Sequence, residues 1–316
     1  MNKIQKFKKQ AQQAYKVGLL KQYLSGRLLA TSLYKLKCVL PGRLPVRIHA
    51  DIDNYQAYRY LQKRYRITRN KGNHQRYDGN KIPKIIWWCW FQGEEKAPEL
   101  AQICLASVRK NFNDYRVVVV TNDNLDQYIE IPEYIKNKYA AGIIRPATYS
   151  DIVRFLLLAK HGGVWIDASV LCTNDRIKKV IEGEPFFAFR NDVLTGNEAI
   201  KISSWFLSAV PNHPLVTETA TMMIDYWRTH NFIVNYFLIH LLFSLSIEKH
   251  QDDWNQMPVF NNVTPHTLAR ELNDQYSKRR FNELNYSLGI HKLNNHQKYK
   301  EDGTLYGYLK HLYLEE

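Results

Sequence analysis

The chain has 316 residues with 21 Tyr, 13 Phe and 7 Trp, enough apolar and aromatic material for a sizeable core, which excludes a wholly disordered protein. The formal net charge of +14 is unevenly placed: residues 1–50 hold 11 Lys or Arg and no acid, whereas the rest carries 33 basic and 30 acidic side chains. The folded body therefore lacks the basic stripe that a nucleic-acid groove requires.

Residues 1–16 place Ile4, Phe7, Ala11, Ala14 and Tyr15 at helical spacing, with Lys3, Lys6, Lys8, Lys9 and Lys16 largely off that stripe. A basic amphipathic helix suits an anionic membrane surface; packing on the body and binding nucleic acid are its alternatives. The segment lacks the continuous apolar stretch of a secretory signal and is not expected to act as one. Residues 51–65 read as a Tyr-rich helix. Residues 66–80, with Asn70, Gly72, Asn73 and Asp78-Gly79, read as a polar loop. This divides the chain into a basic helical region, 1–75, and a main domain, 76–316.

From Lys81 the pattern becomes α/β. Residues 84–90 form an apolar β-rich run, 98–112 an amphipathic helix opening at Pro98, and 116–120 a second short strand. Strand, helix and strand within about 40 residues make a βαβ unit, whose loops at 90–93 and 121–124 share one sheet edge. A helix over 148–160 stops at Gly162-Gly163, and Val164 to Ile166 form a strand ending on Asp167. Further strands are expected at 170–172, 186–189 and 203–207, and helices at 213–228 and 232–247. The last is too short and too interrupted to span a bilayer, so it is read as a core helix.

Asp151 and Arg154, three apart, share one helix face. Alone they would pass as a surface ion pair worth little. The neighbouring strand end alters that reading, because ligands of α/β sheets sit at the carboxyl ends of strands and Asp167 stands at one. The five histidines from His213 to His266 show no zinc spacing. The four cysteines show no CxxC spacing and read as packed thiols in a reducing compartment. Neither GxGxxG nor GxxxxGK occurs, which disfavours dinucleotide-binding and P-loop enzymes.

Asp151-x-x-Arg154 followed by Gly162-Gly163-Val-Trp165-Ile-Asp167 resembles the signature of retaining glycosyltransferases with a DXD-type sugar-binding motif, and more closely the bacterial capsular polysaccharide synthesis protein family. Ile82 to Trp90, Ser204-Trp205-Phe206, Tyr226-Trp227, Asn235-Tyr236-Phe237-x-x-His240 and Ile290 to Leu293 extend the resemblance over residues 80–295. It implies a GT-A-like fold with a mixed central sheet, to which the N-terminal region adds a helical extension. It also implies transfer of a sugar from a nucleotide-diphosphate donor, a UDP-sugar, to a capsular or exopolysaccharide acceptor on a lipid carrier. By the same resemblance Trp90 stacks on the base and Asn124 contacts the nucleotide. Asp151 and Arg154 hold donor sugar and leaving phosphate. Asp167, with Trp165 and Ser169 beside it, contacts ribose, sugar or metal, and His291 closes over the diphosphate with Lys292 alongside. The implied reaction is a front-face substitution in which the leaving phosphate helps deprotonate the acceptor.

One position departs from the pattern: Ser169 stands where the second Asp is expected. A Mn²⁺ or Mg²⁺ ion on Asp167 and Ser169 would have one charged ligand fewer, unless Asp175 or His291 compensates. A catalytically inactive sugar-nucleotide-binding scaffold of a polysaccharide assembly complex is the competing reading. The basic residues 1–50 would hold the protein peripherally on the inner face of the cell membrane, facing the cytoplasm.

Overall fold

The computed structural model describes residues 46–66, 81–195, 199–295 and 297–315. The basic helix expected near the N-terminus, Cys38 and most of the 66–80 loop lie outside these residues.

The centre is a five-stranded sheet in the order β2-β1-β3-β6-β5, built from β1 (Ile85–Cys89), β2 (Arg116–Val120), β3 (Gly163–Ile166), β5 (Phe186–Arg190) and β6 (Ile202–Ala209). β1 runs parallel to both β2 and β3, and β6 runs antiparallel to β3 and β5. The sheet is mixed, and its parallel half is the expected βαβ unit. β1 buries Trp87 and Trp88 on opposite faces, which explains a continuous apolar run where a half-exposed strand would alternate. Helix α2 (Glu99–Asn111) makes the crossover, with Glu99 in its first turn and Arg109 and Lys110 in its last, complementing its dipole.

Helix α3 (Pro146–His161) begins with Pro at its first position and ends on two glycines. Gly162 (φ +64°) and Gly163 (φ +93°) turn the chain directly into β3. A Cβ at Gly163 would lie 2.5 Å from Ile85 Cγ2 and 2.6 Å from the Ile85 carbonyl oxygen. The turn is pinned from the sheet, because Trp87 Nε1 donates to the Gly162 carbonyl at 2.9 Å.

Two helices, α4 (Pro214–Thr229) and α5 (Leu238–Lys249), cover the sheet together with α3. The helix expected over 232–247 starts six residues late. Asn235 Oδ1 accepts the Phe237 N–H at 2.7 Å, a side-chain turn that competes with helical hydrogen bonding. From Leu238 to Ile247 the segment is buried in the core. No described helix is long and apolar enough to cross a membrane.

Helix α1 (Val46–Tyr65), which the sequence pattern assigns to the N-terminal region, packs into this same core through Ala57, Tyr58 and Leu61. Polar contacts fix it there: Asn235 Nδ2 donates to Asn54 Oδ1 at 3.0 Å, and Arg64 pairs with Asp225 at 2.9 Å. A small antiparallel ribbon of β4 (Val170–Cys172) and β7 (Ile290–Lys292) lies beside the sheet.

Candidate active site

Three segments converge at the carboxyl end of β3. The Asp167 N–H donates to the Trp205 carbonyl at 2.9 Å, holding the strand end against β6. The Val170 N–H then donates to the Asp167 carbonyl at 2.9 Å, folding residues 167–170 into a turn. That turn presents Asp167 and Ser169 before β4 begins. β7 pairs with β4 so that Lys292 faces Val170, and the Leu293 N–H donates to the Ser169 carbonyl at 2.8 Å. The third segment is α3, which delivers Asp151 and Arg154 one helical turn apart.

Arg154 is the hub. Its side chain is only 5% exposed, and its two terminal nitrogens donate at 2.7 Å to Asp151 Oδ1 and at 2.7 Å to Asp167 Oδ1. The guanidinium lies over the Trp165 ring, 4.8 Å from its centroid. Trp165 Nε1 donates to the same Asp167 Oδ1 at 2.8 Å. Lys292 Nζ lies 3.4 Å from Asp167 Oδ2 and also hydrogen-bonds Ser169 Oγ. The two carboxylates thus differ in environment although they share Arg154. Burial pushes Asp151 up to about 6; Arg154 opposes this, and the charge of Asp167 adds to it. For Asp167 the same burial is outweighed by Arg154, then Lys292 and the Trp165 N–H, which hold its carboxyl below the usual range.

This cluster lines one wall of a cavity of about 530 Å³, a size typical of small-molecule sites. Trp90 and Gln92 from the loop after β1 also line it, as do Tyr236 and His240. The Trp90 loop is fixed by its neighbour: the Trp90 N–H donates to the Val120 carbonyl at 3.1 Å, and the Asn122 N–H to the Phe91 carbonyl at 3.0 Å. A larger cavity of about 690 Å³ lies on the other side of Gln92. Its charged lining is Glu94, Glu95, Lys96 and Arg109, of which Glu94 and Arg109 form a solvent-exposed pair.

Of the residues singled out from sequence, Asp151, Arg154, Trp165, Asp167, Ser169 and Trp90 line the first cavity, and Lys292 meets two of them, Asp167 and Ser169, from behind the lining. Asn124 and His291 do not line it. Asn124 closes the turn after β2, its Nδ2 donating to the Val119 carbonyl and its Oδ1 accepting the Thr121 N–H, each at 2.8 Å. His291 is buried, with Nε2 3.0 Å from Thr173 Oγ1, and burial pushes its pKa down to about 4. Strand alternation separates the neighbours: Lys292 turns toward Asp167 and Ser169, and His291 points the other way, toward Thr173.

In the sequence, His240 and Tyr236 are pieces of a resemblance and carry no role of their own. His240 Nδ1 is buried without a hydrogen-bond partner in the cavity wall, and burial pushes its pKa down to about 3. Trp90 Nε1 and Asn295 Oδ1 are also buried and unpartnered. Groups of this kind are costly unless something fills the space. Among the described residues no three His, Cys, Asp or Glu side chains gather to hold a metal. Asp167 and Ser169 offer one carboxylate and one neutral hydroxyl, both already facing an ammonium, so the donor set does not fit a divalent ion. The buried Cys104 and Cys172 are packed thiols, Cys104 pushed up to about 12 by burial.

A family model described as capsular polysaccharide synthesis protein matches residues 43–312. The chain belongs to the capsular polysaccharide synthesis protein family. The match begins just before α1, so the family's common core includes this helix. No curated protein matches the chain. Solved structures are similar, among them two transferases. "PaToxG Glycosyltransferase" is 14% identical, with a TM-score of 0.38 over 74% of this chain and 95% of that one. A "bacterial N-acetylglucosamine transferase NleB" is 11% identical, with a TM-score of 0.28 over 65% and 91%.

Proposed function

We propose that this member of the capsular polysaccharide synthesis family is a retaining glycosyltransferase of GT-A type that moves a sugar from a UDP-sugar to a polysaccharide acceptor on a lipid carrier. The observation that carries the proposal is the buried Arg154, held between Asp151 and Asp167 with Lys292 beside it, at a strand end that opens into a 530 Å³ cavity. Trp90 offers a ring for the uracil base at the edge of that space. Asp167, kept ionised by two cations, accepts hydrogen bonds from sugar or ribose hydroxyls.

In the reaction the anomeric C–O bond to the diphosphate breaks, and its electron pair stays on the phosphate oxygen. Fixed cations aimed at that oxygen stabilise the transition state more than the ground state, the more so once bound donor displaces water. The acceptor oxygen attacks from the same face, and its proton passes to the departing phosphate. His240 is neutral at physiological pH, because burial holds its pKa near 3, and its free Nδ1 orients the acceptor hydroxyl. The basic residues 1–50 hold the enzyme on the anionic inner leaflet, where a lipid-linked acceptor would reside. Ser169, in place of a second carboxylate, favours the alternative of an inactive sugar-nucleotide-binding scaffold.

A screen of UDP- and GDP-sugars for hydrolysis, combined with calorimetry, tests the proposal. Binding and slow hydrolysis of a UDP-sugar is the expected result. Binding without hydrolysis or transfer selects the scaffold, and absence of binding to every nucleotide removes both readings.

A further inference from the structure

We infer that Lys292 stands in for a divalent cation, so that sugar transfer by this chain proceeds without a metal ion. The inference rests on the glycosyltransferase reading and specifies how the leaving diphosphate is neutralised.

The side chains at the end of β3 are arranged around an ammonium. Lys292 Nζ lies between Asp167 Oδ2, at 3.4 Å, and Ser169 Oγ. These are the two side chains that would otherwise share a bound ion. Asp167 Oδ1 already accepts from Arg154 and from Trp165 Nε1. A hard dication takes six or more oxygens, and at a phosphate site it still needs one or two carboxylates free to ligate it beside the phosphate oxygens. Here the two carboxylates, Asp151 and Asp167, are matched by two cations, Arg154 and Lys292. Seating a dication beside Asp167 would add like charge next to both. Ser169 follows from the same arrangement: a hydroxyl accepts from the ammonium without the excess negative charge that a metal would need.

Lys292 is also held in place as a ligand would be. Its backbone is in register with Val170, and the Leu293 N–H donates to the Ser169 carbonyl at 2.8 Å. Its side chain is 20% exposed and, from a fixed strand, meets Asp167 and Ser169, which line the cavity. As the anomeric C–O bond breaks, the electron pair goes to the phosphate oxygen. Lys292 and Arg154 face that charge, and the acceptor proton moves to the phosphate. No step calls for a co-reactant beyond donor and acceptor.

The test uses the full-length protein stripped with EDTA. Calorimetry with UDP, GDP and ADP is run in EDTA and again in Mn²⁺ or Mg²⁺. Manganese paramagnetic resonance reads metal binding in the absence of nucleotide. The expected result is UDP affinity and donor hydrolysis that differ by less than about threefold between the two conditions, with no bound Mn²⁺. Lys292→Ala should weaken UDP binding by about tenfold or more, and Lys292→Arg should restore most of it. The pair Ser169→Asp with Lys292→Ala should acquire Mn²⁺ binding and Mn²⁺-dependent nucleotide affinity. Wild-type binding or hydrolysis that disappears in EDTA and returns with Mn²⁺ overturns the inference while leaving the glycosyltransferase reading standing. Wild-type affinity in a folded Lys292→Ala protein also overturns it. Absence of nucleotide binding in every condition overturns both.

Discussion

Replacing Asp151 with Asn separates what this carboxylate costs the fold from what it does for the site. The Asp151 side chain is 21% exposed and its carboxyl is raised from 3.8 to about 6, burial being the largest cause. A carboxyl raised in the folded state contributes stability that is fully present below its unfolded value, near 3.8, and is lost as pH rises through about 6. A rise of that size corresponds to about 3 kcal/mol, an upper figure because partial exposure screens the charge. An Asn has the shape of the neutral acid and never ionises. The difference in melting temperature, Asp151→Asn minus wild type, should therefore grow between about pH 4 and pH 6 and then stay level. At roughly 2 °C per kcal/mol for a chain of this size, the plateau is a rise of several degrees. Transfer should move oppositely. Arg154 loses its charged partner on α3, so activity should fall above about pH 6, where wild-type Asp151 is ionised, and the acid limb expected of wild type near pH 6 should vanish. The assay is thermal unfolding across pH beside donor hydrolysis across the same range. A variant less stable than wild type at pH 8, or an unchanged acid limb, would refute the reasoning.

Three further outcomes follow from the geometry. Trp90→Ala should raise the dissociation constant for UDP about tenfold to a hundredfold by calorimetry, the range expected for losing one base–aromatic stack; unchanged affinity would show that Trp90 does not meet the base. Gly163→Ala puts a methyl group against Ile85 at a φ of +93° and should cost about 2–4 kcal/mol, read as a lower denaturation midpoint; a midpoint matching wild type would contradict it. Deleting residues 1–45 removes ten basic side chains but keeps α1, so binding to phosphatidylglycerol vesicles should be lost with little change in melting temperature. Undiminished vesicle binding by that truncated chain would place membrane attachment elsewhere.

Local pattern makes much of this fold legible. The run Ile85 to Cys89, the stripe on α2 and the run Val117 to Val120 each carry their own period, and the βαβ unit follows from their spacing. The Gly162-Gly163 turn is equally readable, since helix, glycine pair and apolar strand are contiguous. What local pattern does not carry is pairing at a distance. Nothing in residues 160–175 indicates that β4 will pair with residues 290–292, so from sequence Lys292 stands only beside His291, in a secondary part. Alternation along a three-residue strand separates the two, but only once it is known which of them meets Asp167. Asn124 is misleading because Asx side chains in turns spend their hydrogen bonds on the backbone. Its position two residues after Asn122, at the end of a strand, is the available sign. His240 escapes notice because its significance lies in a buried nitrogen left without a partner, which only packing reveals.

The separation between Asp167 and Lys292, 125 residues, bears on how the protein is made. Asp151, Arg154 and Asp167 emerge from the ribosome together and can find one another while the chain is still growing. Lys292 arrives 125 residues after Asp167 and enters only when β7 pairs with β4. An interrupted chain would carry the carboxylates and one cation but not the second charge. Synthesis through β7 thus acts as a checkpoint: the two-cation site forms only once that strand has emerged.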